Sequence, residues 1–350
     1  MKCDNSTDIH ILEDLLNTIS VSGFEQDISS LFIKHLRNDV NQSQIDSMGN
    51  AITIVDGDVA YPKIMLEAHA DEIGFQVLYI TDSGHIYIRK NGSIDEQCII
   101  GQHVLIQTRN KTIIPGVIGK KPIHLTSKDE CHSLKMHQVW VDTGLSADEV
   151  KSQISIGDPV VISPNLVRLG KYRIACKALD NKLGLFVVMR AIKIIASRKQ
   201  TKSTIYGVAT VQEELGGRGA AIATYSIRPD ISITVDLDFA TDVPDCQPNQ
   251  YGNVLMGEGV VISYNADSNI EQHQRLEAIA KEKGISYQIT ARHCAFGGTN
   301  ASRIQISQCG VKTVSIGIPC RYMHTPVEVC DLRDVESAIQ LIVAYCESFS

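Results

Sequence analysis

The sequence predicts an α/β fold, a mixed sheet flanked by helices, into which a small all-β barrel is inserted. Two observations carry this. From about residue 171 onward, long helical and strand-like apolar runs alternate, the pattern of a sheet covered by helices on both faces. Between Phe75 and about Pro164 the pattern changes to short alternating runs separated by Gly, Asn and Asp, among them Val104-Leu105-Ile106-Gln107, Val139-Trp140-Val141-Asp142 and Pro159-Val160-Val161-Ile162. Residues 1–74 and 165–350 are therefore expected to form one α/β domain that carries the chemistry, with residues 75–164 inserted into it.

The α/β elements follow in order. Ile9, Ile11, Leu12, Leu15 and Leu16 form one apolar stripe and Ile28, Leu31, Phe32 and Leu36 another, which predicts two amphipathic helices between Ile9 and Leu36. Strands are expected near Ala51 to Val55 and Lys63 to Ala68. After Asp180, the spacing of Leu183, Phe186, Val187 and Ile192 predicts a buried helix. Ser203 to Val211 and the β-branched run Ile231 to Val235 read as strands. A last amphipathic helix begins near Asp331, with Leu332, Val335, Ile339, Ile342 and Val343 on one face.

Composition narrows the class. With 350 residues and 43% hydrophobic content the chain can bury a large core. A formal net charge of -7 and the lack of a dense Lys/Arg tract argue against nucleic acid or an anionic membrane as the main partner. The first residues lack the apolar core of a signal peptide, and no run is long enough to span a bilayer, so a cytoplasmic location is expected. The 10 cysteines contain no C-x-x-C pair and are expected to stay reduced, Cys176 and Cys320 as small buried apolar residues. His85, His103, His124, His132 and His137 fall in the β insertion without metal-ligand spacing and read as hydrogen-bonded or surface residues.

The chemistry-bearing residues sit where apolar runs end. Ile64-Met65-Leu66 leads into His69, with Asp71 two residues on, placed to receive the second N–H of a metal-bound imidazole. Asp180 stands at a helix start, where it can cap the helix or bridge two cations. The strand ending at Val211 runs into Glu213-Glu214; two adjacent carboxylates at a buried strand end repel unless cations compensate them. The run ending at Val235 leads to Asp236 and Asp238, which alternation puts on one side, so spacing leaves either as a ligand. His324 precedes the last helix. Together the clusters read as a two-metal hydrolase.

In this order, His69-Ala70-Asp71-Glu72-Ile73-Gly74-Phe75, Lys177-Ala178-Leu179-Asp180-Asn181, Val211-Gln212-Glu213-Glu214, Val235-Asp236 with Ala240-Thr241-Asp242-Val243-Pro244, and Arg321-Tyr322-Met323-His324-Thr325-Pro326-Val327-Glu328 resemble the M42 family of metallo-aminopeptidases over nearly the whole chain. The resemblance implies a zinc-exopeptidase-like fold and two divalent ions, Zn²⁺ or Co²⁺ ahead of Mn²⁺. It implies one ion on His69, Asp180 and Asp236 and the other on Asp180, Glu214 and His324, with Asp180 as the bridge. It makes Glu213 the general base, acting on a water between the ions, and Asp71 the residue that orients His69. It implies short peptide substrates cleaved after their first residue, a homo-oligomer, expected as a dodecamer, and a β insertion that serves oligomer contacts and shapes the peptide entrance. The chain departs from the family pattern at Asn300, where Asp is common, at Lys182, where Arg is common, and at Gly217-Arg218 in place of an apolar-Arg pair. Two other classes are open on the same residues: a metal-dependent deacylase, and a scaffold that keeps metal without turnover.

Overall fold

The computed structural model describes residues 5–125, 134–291 and 298–349. Cys3, Cys131, His132, Cys294 and the Phe296-Gly297 pair lie outside the described residues. Two helices, α1 (Asn5–Asn17) and α2 (Gln26–Leu36), precede strands β1 (Gln42–Ile45), β2 (Ala51–Val55) and β3 (Ile64–His69). Ile11, Leu12, Leu15 and Leu16 of α1 and Ile28, Phe32 and Leu36 of α2 are buried in the main core, so both predicted stripes face inward.

Six strands follow: β4 (Gly74–Ile80), β5 (Ile86–Asn91), β6 (His103–Gln107), β7 (Ile113–Lys120), β8 (Val139–Asp142) and β9 (Pro159–Ile162), with a short helix α3 (Ala147–Gln153). They close into a barrel in the order β4-β5-β8-β7-β6-β9. Alternation does this: along β7, Ile114, Gly116 and Ile118 point inward and their neighbours outward. Phe75, Val77, Ile88, Val104, Ile106 and Val141 fill a barrel core separate from the main one.

The chain then returns through β10 (Val167–Leu169), β11 (Arg173–Cys176), α4 (Leu179–Arg198), β12 (Ile205–Thr210), α5 (Arg218–Ile227) and β13 (Ile231–Phe239). It continues as α6 (Pro248–Tyr251), β14 (Val260–Tyr264), α7 (Ile270–Lys283), β15 (Tyr287–Ala291), α8 (Asn300–Gln305), β16 (Lys312–Arg321), β17 (Glu328–Asp331) and α9 (Leu332–Glu347). A mixed eleven-stranded sheet runs β1-β2-β12-β3-β13-β16-β17-β11-β10, with β14 pairing both β16 and β15. Helix α4 is apolar on nearly every side, as a helix enclosed by the fold must be, with Leu179, Leu183, Leu185, Val187, Val188 and Ile192 buried. A Cβ on Gly184 would fall 2.9 Å from the Val235 carbonyl, so glycine is what lets the start of α4 approach β13. Among the described residues no helix is long and apolar enough to cross a membrane.

Candidate metal centre

Strands β12, β3, β13 and β16 are parallel, so their carboxyl ends open on one edge of the sheet, where ligands bind in α/β folds. The register fixes the levels. Thr210 pairs with His69, and Glu67 pairs with Thr234, so His69 and Asp236, each two residues on, stand side by side where β3 ends and β13 continues against β16. Glu213 and Glu214 follow β12, and His324 follows β16. Asp180 arrives from the other direction at the start of α4, which Asn181 ties to β13 by donating to the Val235 carbonyl at 2.8 Å. The helix-cap role open to Asp180 in the sequence is not the one taken: the Asp180 and Asn181 backbones are non-helical, and it is the Asn181 side chain that accepts the Gly184 amide at 3.1 Å.

The carboxylate of Asp180 is thereby free to face both imidazoles. His69 Nε2 lies 3.1 Å from Asp180 Oδ1 and 3.7 Å from Asp236 Oδ1. His324 Nε2 lies 3.3 Å from Asp180 Oδ2 and 3.4 Å from Glu214 Oε1. The groups His69-Asp180-Asp236, Asp180-Glu214-His324 and His69-Glu213-Glu214 each present ligand atoms within 4.8 Å of one another. The first two share Asp180, one oxygen toward each. All are carboxylate or imidazole donors, a set that suits a borderline divalent cation such as zinc, cobalt or manganese.

The electrostatics fit the same conclusion. Burial, reinforced by neighbouring carboxylates, holds the carboxyls of Glu213 and Asp236 well above the ordinary range. Burial raises Glu214 in the same way. Burial alone would lower the two imidazoles, but Asp180 with Asp71 outweighs it at His69, which stands well above its usual value, and Asp180 with Glu214 raises His324 to about 11. In the absence of metal the two imidazoles are thus the groups that offset the surrounding acids. Divalent ions on these residues would replace the imidazole protons and the missing positive charge together.

Supporting bonds come from residues distant in sequence. Asp71 is fully buried; its Oδ1 accepts the Glu213 amide N–H at 2.9 Å, and its Oδ2 accepts the Glu214 amide N–H at 3.1 Å and the Ser22 hydroxyl at 2.6 Å. His69 Nδ1 is nearer the Asp71 carbonyl, 3.0 Å, than the carboxylate, 3.4 Å, so Asp71 holds the ring chiefly through its backbone. Beside it, Glu72 is enclosed between the ammonium groups of Lys177 and Lys182, and also accepts from Ser20. Lys182 is fully buried and donates to the Thr18 carbonyl at 2.6 Å as well as to Glu72 at 2.7 Å. Glu328 accepts the backbone N–H groups of both Asp180 and His324 at 2.9 Å. Single-sequence reading gave none of Ser22, Glu72 or Glu328 a role; the acid beside Asp71 and the acid closing the His324 motif were the visible signals. Ala178, Gln212, Tyr322 and His324 all have positive φ, so local backbone strain concentrates at three of the ligand-bearing turns.

Asp238 lines the same cavity as Asp236, but its Oδ2 accepts the Ser263 hydroxyl at 3.0 Å, on the next strand. Asn300, one of the departures, donates to Glu67 at 2.6 Å and to Thr210 at 2.9 Å beneath the centre. Gly216 and Gly217 line the cavity, whereas Arg218 reaches Gln212. The cavity, about 790 Å³, is walled by the acids and histidines on one side and by Leu237, Phe239, Ile306 and Met323 on another.

The chain is similar to known aminopeptidases in sequence and fold. The family model described as M42 glutamyl aminopeptidase matches residues 49–341. The lysyl aminopeptidase of Pyrococcus furiosus is 32% identical, with 97% of each chain aligned. The solved structure of an aminopeptidase from the archaeon Desulfurococcus kamchatkensis superimposes with a TM-score of 0.91 at 32% identity, covering 97% of this chain and 94% of that one. The Pyrococcus horikoshii TET1 peptidase, described as assembling into a tetrahedron or a large octahedral shell, gives a TM-score of 0.86 at 28% identity over 96% of this chain and 98% of that one.

Proposed function

Because the chain belongs to the M42 glutamyl aminopeptidase family, a family of metal-dependent peptide hydrolases, we propose that it is a cytoplasmic dinuclear aminopeptidase that removes the first residue of short peptides. The observation that carries the dinuclear reading is the carboxylate of Asp180, one oxygen within 3.1 Å of His69 and the other within 3.3 Å of His324. His69, Asp180 and Asp236 would hold one ion and Asp180, Glu214 and His324 the other, zinc or cobalt ahead of manganese. When bound, the ions supply the positive charge that makes water acidic and polarises a carbonyl.

The rest falls to the chain's own residues. Glu213 takes a proton from the attacking water and delivers it to the peptide nitrogen as the C–N bond breaks. Its displaced pKa supports that role, because burial makes its carboxylate a stronger base than an exposed glutamate. Asp71 fixes the Glu213 and Glu214 amides and the His69 ring, so base and ligands keep one geometry. A cavity of about 790 Å³ has room for the residue being released, and its acidic wall attracts a protonated α-amino group.

Residues 1–74 and 165–350 would form the catalytic domain, and the barrel of residues 75–164 would contribute subunit contacts and the peptide entrance. We further propose a homo-oligomer, a dodecamer, supported by the likeness to the TET1 peptidase. Light scattering on the metal-loaded protein checks this; a monomeric mass sinks it.

The activity is tested with aminoacyl-p-nitroanilides and their N-acetylated counterparts, using chelated protein reloaded with Zn²⁺, Co²⁺ or Mn²⁺. Metal-dependent release from free-amine substrates alone is expected. Cleavage of the acetylated compounds would replace the aminopeptidase by a deacylase.

A further inference from the structure

The turn between α1 and α2 takes no part in metal ligation, yet two of its side chains reach the catalytic segments. Ser22 is buried, and its hydroxyl donates to Asp71 Oδ2 at 2.6 Å. Three residues on, Glu25 is equally buried; its Oε1 accepts the Gly23 amide at 2.8 Å and the Gln212 amide at 3.1 Å. Gln212 has φ +56 and immediately precedes Glu213, so its amide direction helps to set where the proposed base points. The Asn91 side chain pins the turn from the barrel side by donating to the Ser22 carbonyl at 2.8 Å.

Resting on the aminopeptidase reading, we infer that Ser22 and Glu25 are positioning residues, which lock Asp71 and the Gln212–Glu214 segment into the arrangement that catalysis uses. Without Ser22, the Asp71 carboxylate is held by the Glu213 and Glu214 amides alone, the two groups it has to position. Without an acceptor at residue 25, the strained Gln212 amide loses its side-chain partner. In Glu25 a single oxygen accepts both amides, so a neutral carboxamide can do the same work; the charge is dispensable.

The test compares Ser22→Ala, Ser22→Thr, Glu25→Ala and Glu25→Gln with the wild type, in the assembled, metal-loaded protein. Steady-state kinetics are paired with hydrogen exchange of the Gln212, Glu213 and Glu214 amides, which needs no turnover. Ser22→Ala and Glu25→Ala are expected to lose about tenfold in kcat with KM little changed, the scale of one hydrogen bond to a charged or strained buried group. Amide exchange at residues 212–214 should rise in both. Ser22→Thr and Glu25→Gln should recover both readouts.

Unchanged kcat and exchange in the two alanine variants overturns the inference, as does a Glu25→Gln variant as impaired as Glu25→Ala. If an alanine variant fails to fold, the conservative variants still decide: wild-type kinetics and exchange in both support positioning, and loss in both overturns it. A wild type without metal-dependent turnover would sink the aminopeptidase reading, while the exchange data would still judge whether Ser22 and Glu25 hold the segment.

Discussion

Replacing Glu213 by Gln preserves the side chain's shape and removes one negative charge, so it separates proton transfer from assembly of the site. Its effect on the metal-free protein follows from distance. A Glu213 oxygen and a Glu214 oxygen lie within 4.8 Å. At that separation two unit charges repel by about 3 kcal/mol at an effective dielectric near 20. Glu213 is held well above the ordinary carboxylate range, mainly by burial, so the folded protein retains a proton there that the unfolded chain releases. The penalty on folding therefore grows as pH rises above the ordinary carboxylate value. Glu213→Gln should raise the melting temperature of chelated protein, more at pH 9 than at pH 6. With metal restored it should keep its assembly and lose about 10²- to 10⁴-fold in turnover. Calorimetry of the chelated forms and p-nitroanilide kinetics of the loaded forms read the two effects. Unchanged turnover would remove Glu213 from proton transfer, and no pH-dependent gain in stability would refute the crowded-acid account of the centre.

Three further outcomes follow from the packing. Glu72→Gln should lower stability by about 3–5 kcal/mol in urea unfolding at pH 7, because it takes the carboxylate from buried Lys177 and from Lys182, which burial already lowers to about 7 and which must then give up its proton. Burial pushes Glu72 up, but Lys177 and Lys182 outweigh it and hold it below 4.5, so its contribution is present above that pH and fades as pH falls through the lower folded value. The gap between wild type and variant should close in acid. Gly219→Ala places a Cβ 2.4 Å from both the Val211 carbonyl and Asn50 Oδ1, and should cost about 1–3 kcal/mol by differential scanning calorimetry. Asn300→Asp sets a second carboxyl against buried Glu67, which burial already raises; the pair must share a proton, and stability measured by denaturation should fall as pH climbs above 4.5.

Local pattern made the ligand candidates readable because each of them lies next to an apolar run. The apolar runs before His69, Glu213 and Asp236 become parallel neighbours with their carboxyl ends together, and the pattern change at Phe75 marks the start of the barrel. Spacing leaves Asp236 and Asp238 equal, since period-two alternation puts both in one cavity; in the structure Asp238 is engaged by Ser263 of the following strand, while Asp236 lies near His69 and Asp180. Asp180 was ambiguous for a similar reason. A helix start looks the same in sequence whether its acid caps the helix or turns away, and only the non-helical Asp180 backbone and the cap made by Asn181 show the second. Lys182 stands where arginine is common. Fully buried against Glu72 and the Thr18 carbonyl, it is a compact amine, lowered to about 7 by burial, in a space closed on every side. Ser22, Glu72 and Glu328 escaped because their partners lie across folds of the chain that no periodicity records.

The proposed ligands come from residues 69 to 324, with the barrel threaded between the first and second. A growing polypeptide therefore carries most of its acids long before the histidine that completes the second ion's set. Until the β16–β17 hairpin has emerged and folded, the centre lacks His324 and the Glu328 anchor that holds it. A chain cut short before residue 324 would keep four of the five proposed ligands and lack the imidazole of the second set.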